Sequence, residues 1–169
     1  DDNTAGWISV GNVGFDEYVI PCFVRGAKIE TARGEILIED LEVGDMVRTL
    51  DHGMQPIRWI GSSTVQATGA MAPVLFRKGA LGNTSDLLVS AAHRMMLQNW
   101  QTELLFDDGE MLVAAKALVN DSTIIRQKGG RVEYFHILFD THEIIFANGI
   151  PSESFHPGEA CVGNMAKQA

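Results

Sequence analysis

Cysteine is scarce in this sequence: the 169-residue chain carries two, Cys22 and Cys161. That excludes a disulfide scaffold as the organising device, while a single Cys22–Cys161 bridge stays open. Basic side chains are outnumbered, 13 against 22 acidic ones, for a net charge of −9. Such a balance argues against a nucleic-acid surface, which needs clustered Lys and Arg, and against a site for anionic membrane. No apolar run nears the ~20 residues of a transmembrane helix. The longest, Met111 to Val119, is interrupted by Lys116. Paired metal-ligand spacings such as Cys-x-x-Cys and His-x-x-x-His are also missing. A start at Asp1 without methionine reads as a fragment or a processed form.

What is present is a globular composition, 46% hydrophobic and 21% charged. The length suits one domain that buries about 70% of its unfolded surface. The pattern is β throughout: many short alternating runs separated by turn residues. Residues 1–21 form a Gly-rich arm with apolar side chains at Trp7, Ile8, Val10 and Phe15, enough for one or two short edge strands. Ala27 to Thr31 and Ile36 to Ile38 read as a hairpin around Ala32-Arg33-Gly34, and Met46 to Thr49 as the next strand. A turn follows at Asp51-His52-Gly53, where His52 reads as a solvated loop residue. Ile57 to Gly61 and Ser62 to Thr68 read as two strands with a break between them. Pro73 to Arg77, Asp86 to Ser90 and Thr123 to Gln127 read as further strands. Polar residues 99–110 suggest a turn at Asp107-Asp108-Gly109. Met111 to Val119 suits a strand or a short helix, and its alanines favour one or two helical turns ending at Asn120. Val132 to Ile150 alternates around Asp140-Thr141 and predicts a hairpin.

Three stretches carry chemistry-bearing residues in a fixed order. The first runs from Pro21 to Asp45 and into the strand after it, with Cys22, Gly26, Ile29, Thr31, Gly34, Ile38, Leu41, Gly44, Asp45 and Val47 at set spacing. The second is Leu88 to Leu97, where a hydroxyl, Ser90, stands three residues before His93. The third is an aromatic strand holding His136, followed by Asp140, His142 and then Ala147-Asn148-Gly149. Together they resemble the Hint superfamily, the module shared by inteins and hedgehog autoprocessing domains. The resemblance covers about residues 22–155. It implies an all-β fold, an intein-like twisted horseshoe of short strands with pseudo-twofold symmetry, with a Hint domain over 22–158 and a tail over 159–169.

The resemblance also implies self-cleavage before Cys22 by an N–S acyl shift. Cys22 would be the nucleophile, and His93 would protonate the leaving amine. Ser90 would hold the scissile peptide, with serine standing where the family usually has threonine. His136 and Asp140 would deprotonate Cys22 or steer the intermediate, and His142 matches the later motif histidine. The substrate would be the chain's own N-terminal segment, released to water, a thiol or an amine, with no cofactor, metal, nucleic acid or membrane involved. One departure matters: the chain continues Pro151 to Gly158 without the terminal His-Asn pair of splicing inteins. Asn148 precedes glycine, which favours a turn, and Asn164 precedes methionine. The sequence therefore resembles non-splicing bacterial Hint modules more closely. Pro21 crowds the scissile carbonyl and argues for slow cleavage. Two other classes compete: a structural or adhesive module of a larger secreted protein with Cys22 as a core thiol, and a β-rich metal enzyme using His93, His136 and His142.

Overall fold

A computed structural model describes residues 21–98 and 110–155. Fourteen strands occur among them. They are β1 (Phe23–Val24), β2 (Lys28–Thr31), β3 (Gly34–Leu37), β4 (Met46–Arg48), β5 (Met54–Pro56), β6 (Trp59–Gln66) and β7 (Val74–Phe76). The rest are β8 (Leu87–Val89), β9 (Arg94–Gln98), β10 (Glu110–Ala114), β11 (Ile124–Arg126), β12 (Arg131–Leu138), β13 (Ile144–Ala147) and β14 (Ile150–Glu153). Among the described residues the only helical elements are 3₁₀ turns, at Ile38–Asp40, Gly69–Met71 and Ala115–Leu118. The fold is all-β, as expected.

Two sheets divide the strands. One runs β11-β7-β8-β1-β12-β6, the other β10-β9-β14-β13-β2-β4-β5, with β3 added beside β2. β1 therefore sits inside the first sheet while β2 belongs to the second. A tight turn makes the transfer: the Ala27 amide donates to the Val24 carbonyl at 3.1 Å. Gly26 takes φ +98° there, a backbone state that costs other residues strain. One apolar cluster draws on both sheets, with Phe23, Val74, Phe76, Val89 and Ile137 from the first and Ile29, Val47, Met95 and Ile145 from the second. Burying each such side chain stabilises the fold by about 1.5–3 kcal/mol.

The predicted hairpin over Val132 to Ile150 does not form. β12 pairs along its whole length with β6, from Arg131 opposite Gln66 to Leu138 opposite Trp59. β13 instead pairs with β14 and β2 in the other sheet. The reason lies in burial: Tyr134, Phe135, His136 and Ile137 are all buried in succession, so both faces of β12 are covered. A strand covered on both faces belongs inside a sheet, and the eight-residue β6 gives it a longer partner than β13. The break expected near Gly61-Ser62 is likewise absent, because β6 runs unbroken through it. Met111 to Val119 divides between β10 and the 3₁₀ turn Ala115–Leu118, part strand and part helical. Asn148-Gly149 is a two-residue hairpin loop between β13 and β14, with both residues at positive φ. The expected arm strands, the Asp107-Asp108-Gly109 turn and the tail with Cys161 lie outside the described residues.

Candidate active site

Cys22 immediately precedes β1, and the pairings of β1 choose its neighbours. Phe23 stands opposite Phe135 on β12 and opposite Val89 on β8. One step back along both antiparallel ladders brings Cys22 level with His136 on one side and Ser90 on the other. The bonds follow that register. The Ser90 amide donates to the Cys22 carbonyl at 2.9 Å. The Cys22 amide donates to Ser90 Oγ at 3.0 Å. A hydroxyl thus holds the nitrogen of the Pro21–Cys22 peptide. Side chains directly opposite across an antiparallel pair share a face, and Cys22 Sγ lies 3.1 Å from His136 Nδ1 and 3.7 Å from Nε2. The Pro21 carbonyl is near enough to favour the charged form of the His136 ring. One imidazole therefore faces the sulfur that adjoins the bond in question.

The electrostatics of this pair are set by burial. Cys22 is buried, packed with Val24, Ala67, Val132 and Tyr134. Burial pushes its pKa far above the usual thiol range, with the Ser90 hydroxyl opposing. His136 is lowered to about 4 by burial, with the Pro21 carbonyl opposing. Thiol and imidazole both rest neutral at pH 7. Phe155 closes the His136 side, its ring 5.6 Å from the imidazole at a steep angle.

His93 follows Ser90 through a turn in which the His93 amide donates to the Ser90 carbonyl at 3.1 Å. Its ring is fully buried against the Phe23 ring, with centroids 4.5 Å apart. Neither ring nitrogen makes a hydrogen bond among the described residues. Burial brings its pKa down to about 4, opposed by the Glu153 charge and by the nearby Cys22 carbonyl, which acts on the ring without completing a hydrogen bond. Ser90, His93, His136 and Cys22 are thus gathered at one place.

Asp140 is not gathered there. It stands on the exposed turn after β12, where Arg58 Nε and Nη2 donate to its two oxygens at 2.9 and 3.1 Å. The Arg58 amide also donates to the Leu138 carbonyl, which ties this end of β12 to the surface. His142 lies before β13 with Nε2 3.0 Å from Glu153 Oε1. His52 is exposed, as expected of a loop residue, yet its Nδ1 lies 2.8 Å from buried Glu143, which raises its pKa. No group of three or more His, Cys, Asp or Glu among the described residues is placed to hold a metal ion. Likewise, no helix among them is long and apolar enough to cross a membrane.

A family model described as the Hint domain matches residues 21–159. The chain belongs to the Hint-domain family. No curated protein matches it. Among solved structures, it is similar to a DnaB intein from Synechocystis sp. PCC 6803, with a TM-score of 0.55 at 15% identity over 79% of this chain and 98% of that one. A splice-inactive, glutathione-linked variant of the AceL NrdHF class 3 split intein aligns with a TM-score of 0.53 at 14% identity, covering 81% and 99% of the two chains. At such identities these likenesses speak for the fold alone: this Hint domain has the architecture of inteins, an autoprocessing type of domain.

One participant, Glu153, escapes a sequence reading. It lies in Pro151-Ser152-Glu153-Ser154, notable in sequence only for lacking His-Asn. In the structure it is 4% exposed and receives Arg94 and His142. The available signal was an acidic residue in a short strand after an Asn-Gly hairpin, with an arginine directly following His93.

Proposed function

We propose that this Hint domain cuts the Pro21–Cys22 peptide bond in a single turnover by an N–S acyl shift. The observation that carries the proposal is the 3.1 Å contact of one buried neutral imidazole, His136, with Cys22 Sγ, beside a Ser90 hydroxyl that holds the nitrogen of the same peptide. His136 accepts the thiol proton as sulfur attacks the Pro21 carbonyl carbon. The tetrahedral intermediate collapses with loss of the C–N bond. The Cys22 nitrogen leaves as an amine, taking a proton from the protonated form of His93, while Ser90 keeps that nitrogen in place and His136 gives the sulfur proton up to water. The proton count is unchanged: one leaves sulfur and one reaches nitrogen. Attack on the thioester by water, a thiol or an amine then frees residues 1–21 and restores the Cys22 thiol.

The raised thiol excludes a standing thiolate, so proton transfer must accompany sulfur attack. This step is slow, and Pro21 slows it further. The amide is more stable than the thioester, so the acceptor draws the reaction forward. Nothing in Pro151 to Phe155 supplies the asparagine cyclisation of splicing, and the proposed reaction ends with cleavage.

One observation favours a second reading, a silent Hint fold serving as a structural or binding module: the apolar shell of Val24, Ala67, Val132 and Tyr134 around Cys22. Thiol-induced release of residues 1–21 separates the two. The cleavage reading expects release from wild type, slower release from His136→Gln and faster release from Pro21→Gly. Silence of Pro21→Gly would leave the structural reading standing.

A further inference from the structure

The most heavily bonded charged group in the described structure is Glu153, on β14. Its side chain is 5% exposed, and its carboxylate takes four donors from two residues. The Arg94 amide donates to Oε2 at 2.9 Å. Arg94 Nε donates to Oε1 at 3.0 Å, and Nη2 donates to Oε1 at 2.8 Å. His142 Nε2 is 3.0 Å from Oε1. A lone surface ion pair would be worth little, but a buried carboxylate with this many donors fixes its partners in place.

What it fixes is the point of interest. Arg94 directly follows His93, and its main-chain amide is one of the donors. The His93 ring makes no hydrogen bond of its own among the described residues. Its orientation therefore comes from the edge contact with Phe23 and from the backbone on either side. Ser90 holds that backbone before it, Ala115 holds its carbonyl, and Glu153 holds it after. The same carboxylate reaches His142 from the next strand. A carboxylate only accepts, so His142 must present an Nε2–H to it.

We infer that Glu153 is a positioning residue of the candidate site: its buried carboxylate fixes the backbone that carries His93 and the tautomer of His142. Both histidines then answer to one carboxylate that touches neither Cys22 nor the peptide bond. The charged and titratable groups that act on His93 are Glu153 from β14, Arg94 from β9 and His142 from the segment before β13. The Cys22 carbonyl acts on it from β1's side. Of these, Glu153 alone supplies negative charge, so its loss should make His93 harder to protonate. The link to cleavage rests on the function proposed above; the link to the histidines does not.

The test is histidine NMR on the intact chain, wild type beside Glu153→Gln and Glu153→Asp. Gln keeps an oxygen for the Arg94 amide but removes the charge. Wild type should show neutral His142 as the Nε2–H tautomer. The His93 titration should move to lower pH by about half a unit or more in Glu153→Gln and return toward wild type in Glu153→Asp. Where cleavage is observed, the limb of its pH–rate profile that falls as pH rises through the His93 titration should move with that titration, which a merely structural role would not cause. A folded Glu153→Gln with an unmoved His93 titration overturns the inference. So does wild-type His142 in the Nδ1–H form, which needs no variant to be seen. Absence of cleavage in wild type would sink the proposed function and leave these NMR results to decide the role of Glu153.

Discussion

Lowering the pH from about 7 to about 4 should destabilise this protein largely through two histidines. His93 and His136 each fall from an ordinary 6.5 to about 4, chiefly because burial penalises the charged ring. The folded state keeps both rings neutral across that range, while the unfolded chain protonates them below 6.5. Stability is therefore complete above about 6.5 and drains as pH falls toward about 4. A fall of about 2.5 pH units at 1.36 kcal/mol each gives about 3 kcal/mol per histidine. Two of them approach the whole stability of an ordinary domain, about 5–15 kcal/mol. Glu153, held at about 2 by His142 and Arg94 although burial alone would raise it, adds a loss in the same direction below 4.5. His52 works the other way. Glu143 raises its pKa, so its contribution is full below 6.5 and lost only as pH rises through the raised value. Urea unfolding across the range from about pH 7 to about pH 4.5 measures this directly. Unfolding should take up about two protons near pH 5, and about one in either His93→Gln or His136→Gln. A stability flat across this range, or slopes unchanged in both variants, would refute the burial argument.

Ser90→Ala strips the Cys22 amide of its acceptor and should cost about 1–3 kcal/mol in urea unfolding. Ser90→Thr, which keeps the hydroxyl, should retain both stability and any cleavage. Asp140→Asn removes an ion pair whose two side chains are 55% and 59% exposed. It should change stability by no more than about 1 kcal/mol and leave thiol-induced cleavage at the wild-type rate; a large loss of cleavage would place Asp140 in the reaction after all.

Much of the site was readable because it is local in sequence terms. The Cys22 stretch, the Ser90-to-His93 spacing and the Asn148-Gly149 turn each depend on neighbours within a few positions. Short-range turn chemistry carries that information, and the strands around it fell within a residue or two of their expected places. Pairing across the sheets was less readable. The alternation of Val132 to Ile150 is the same whether β12 turns back on β13 or runs beside β6. Only the burial of both faces of β12 decides it, and that depends on strands distant in sequence. Asp140, named from the family resemblance, stands at the surface paired with Arg58, a partner 82 residues away that local pattern does not show. Glu153 was hidden for a similar reason: its partners Arg94 and His142 are 59 and 11 residues away, brought to it by the pairing of β14 with β9 and with β13.

The central claim is that Cys22 and His136 are a nucleophile and its base acting on the Pro21 carbonyl. Intact-mass spectrometry of fresh protein, before and after incubation with a thiol or hydroxylamine, tests it most directly, with Cys22→Ala beside wild type. The account predicts that wild type alone loses residues 1–21, with hydroxylamine leaving a hydroxamate on Pro21. An unchanged wild-type mass after prolonged incubation, or equal loss from Cys22→Ala, would contradict it.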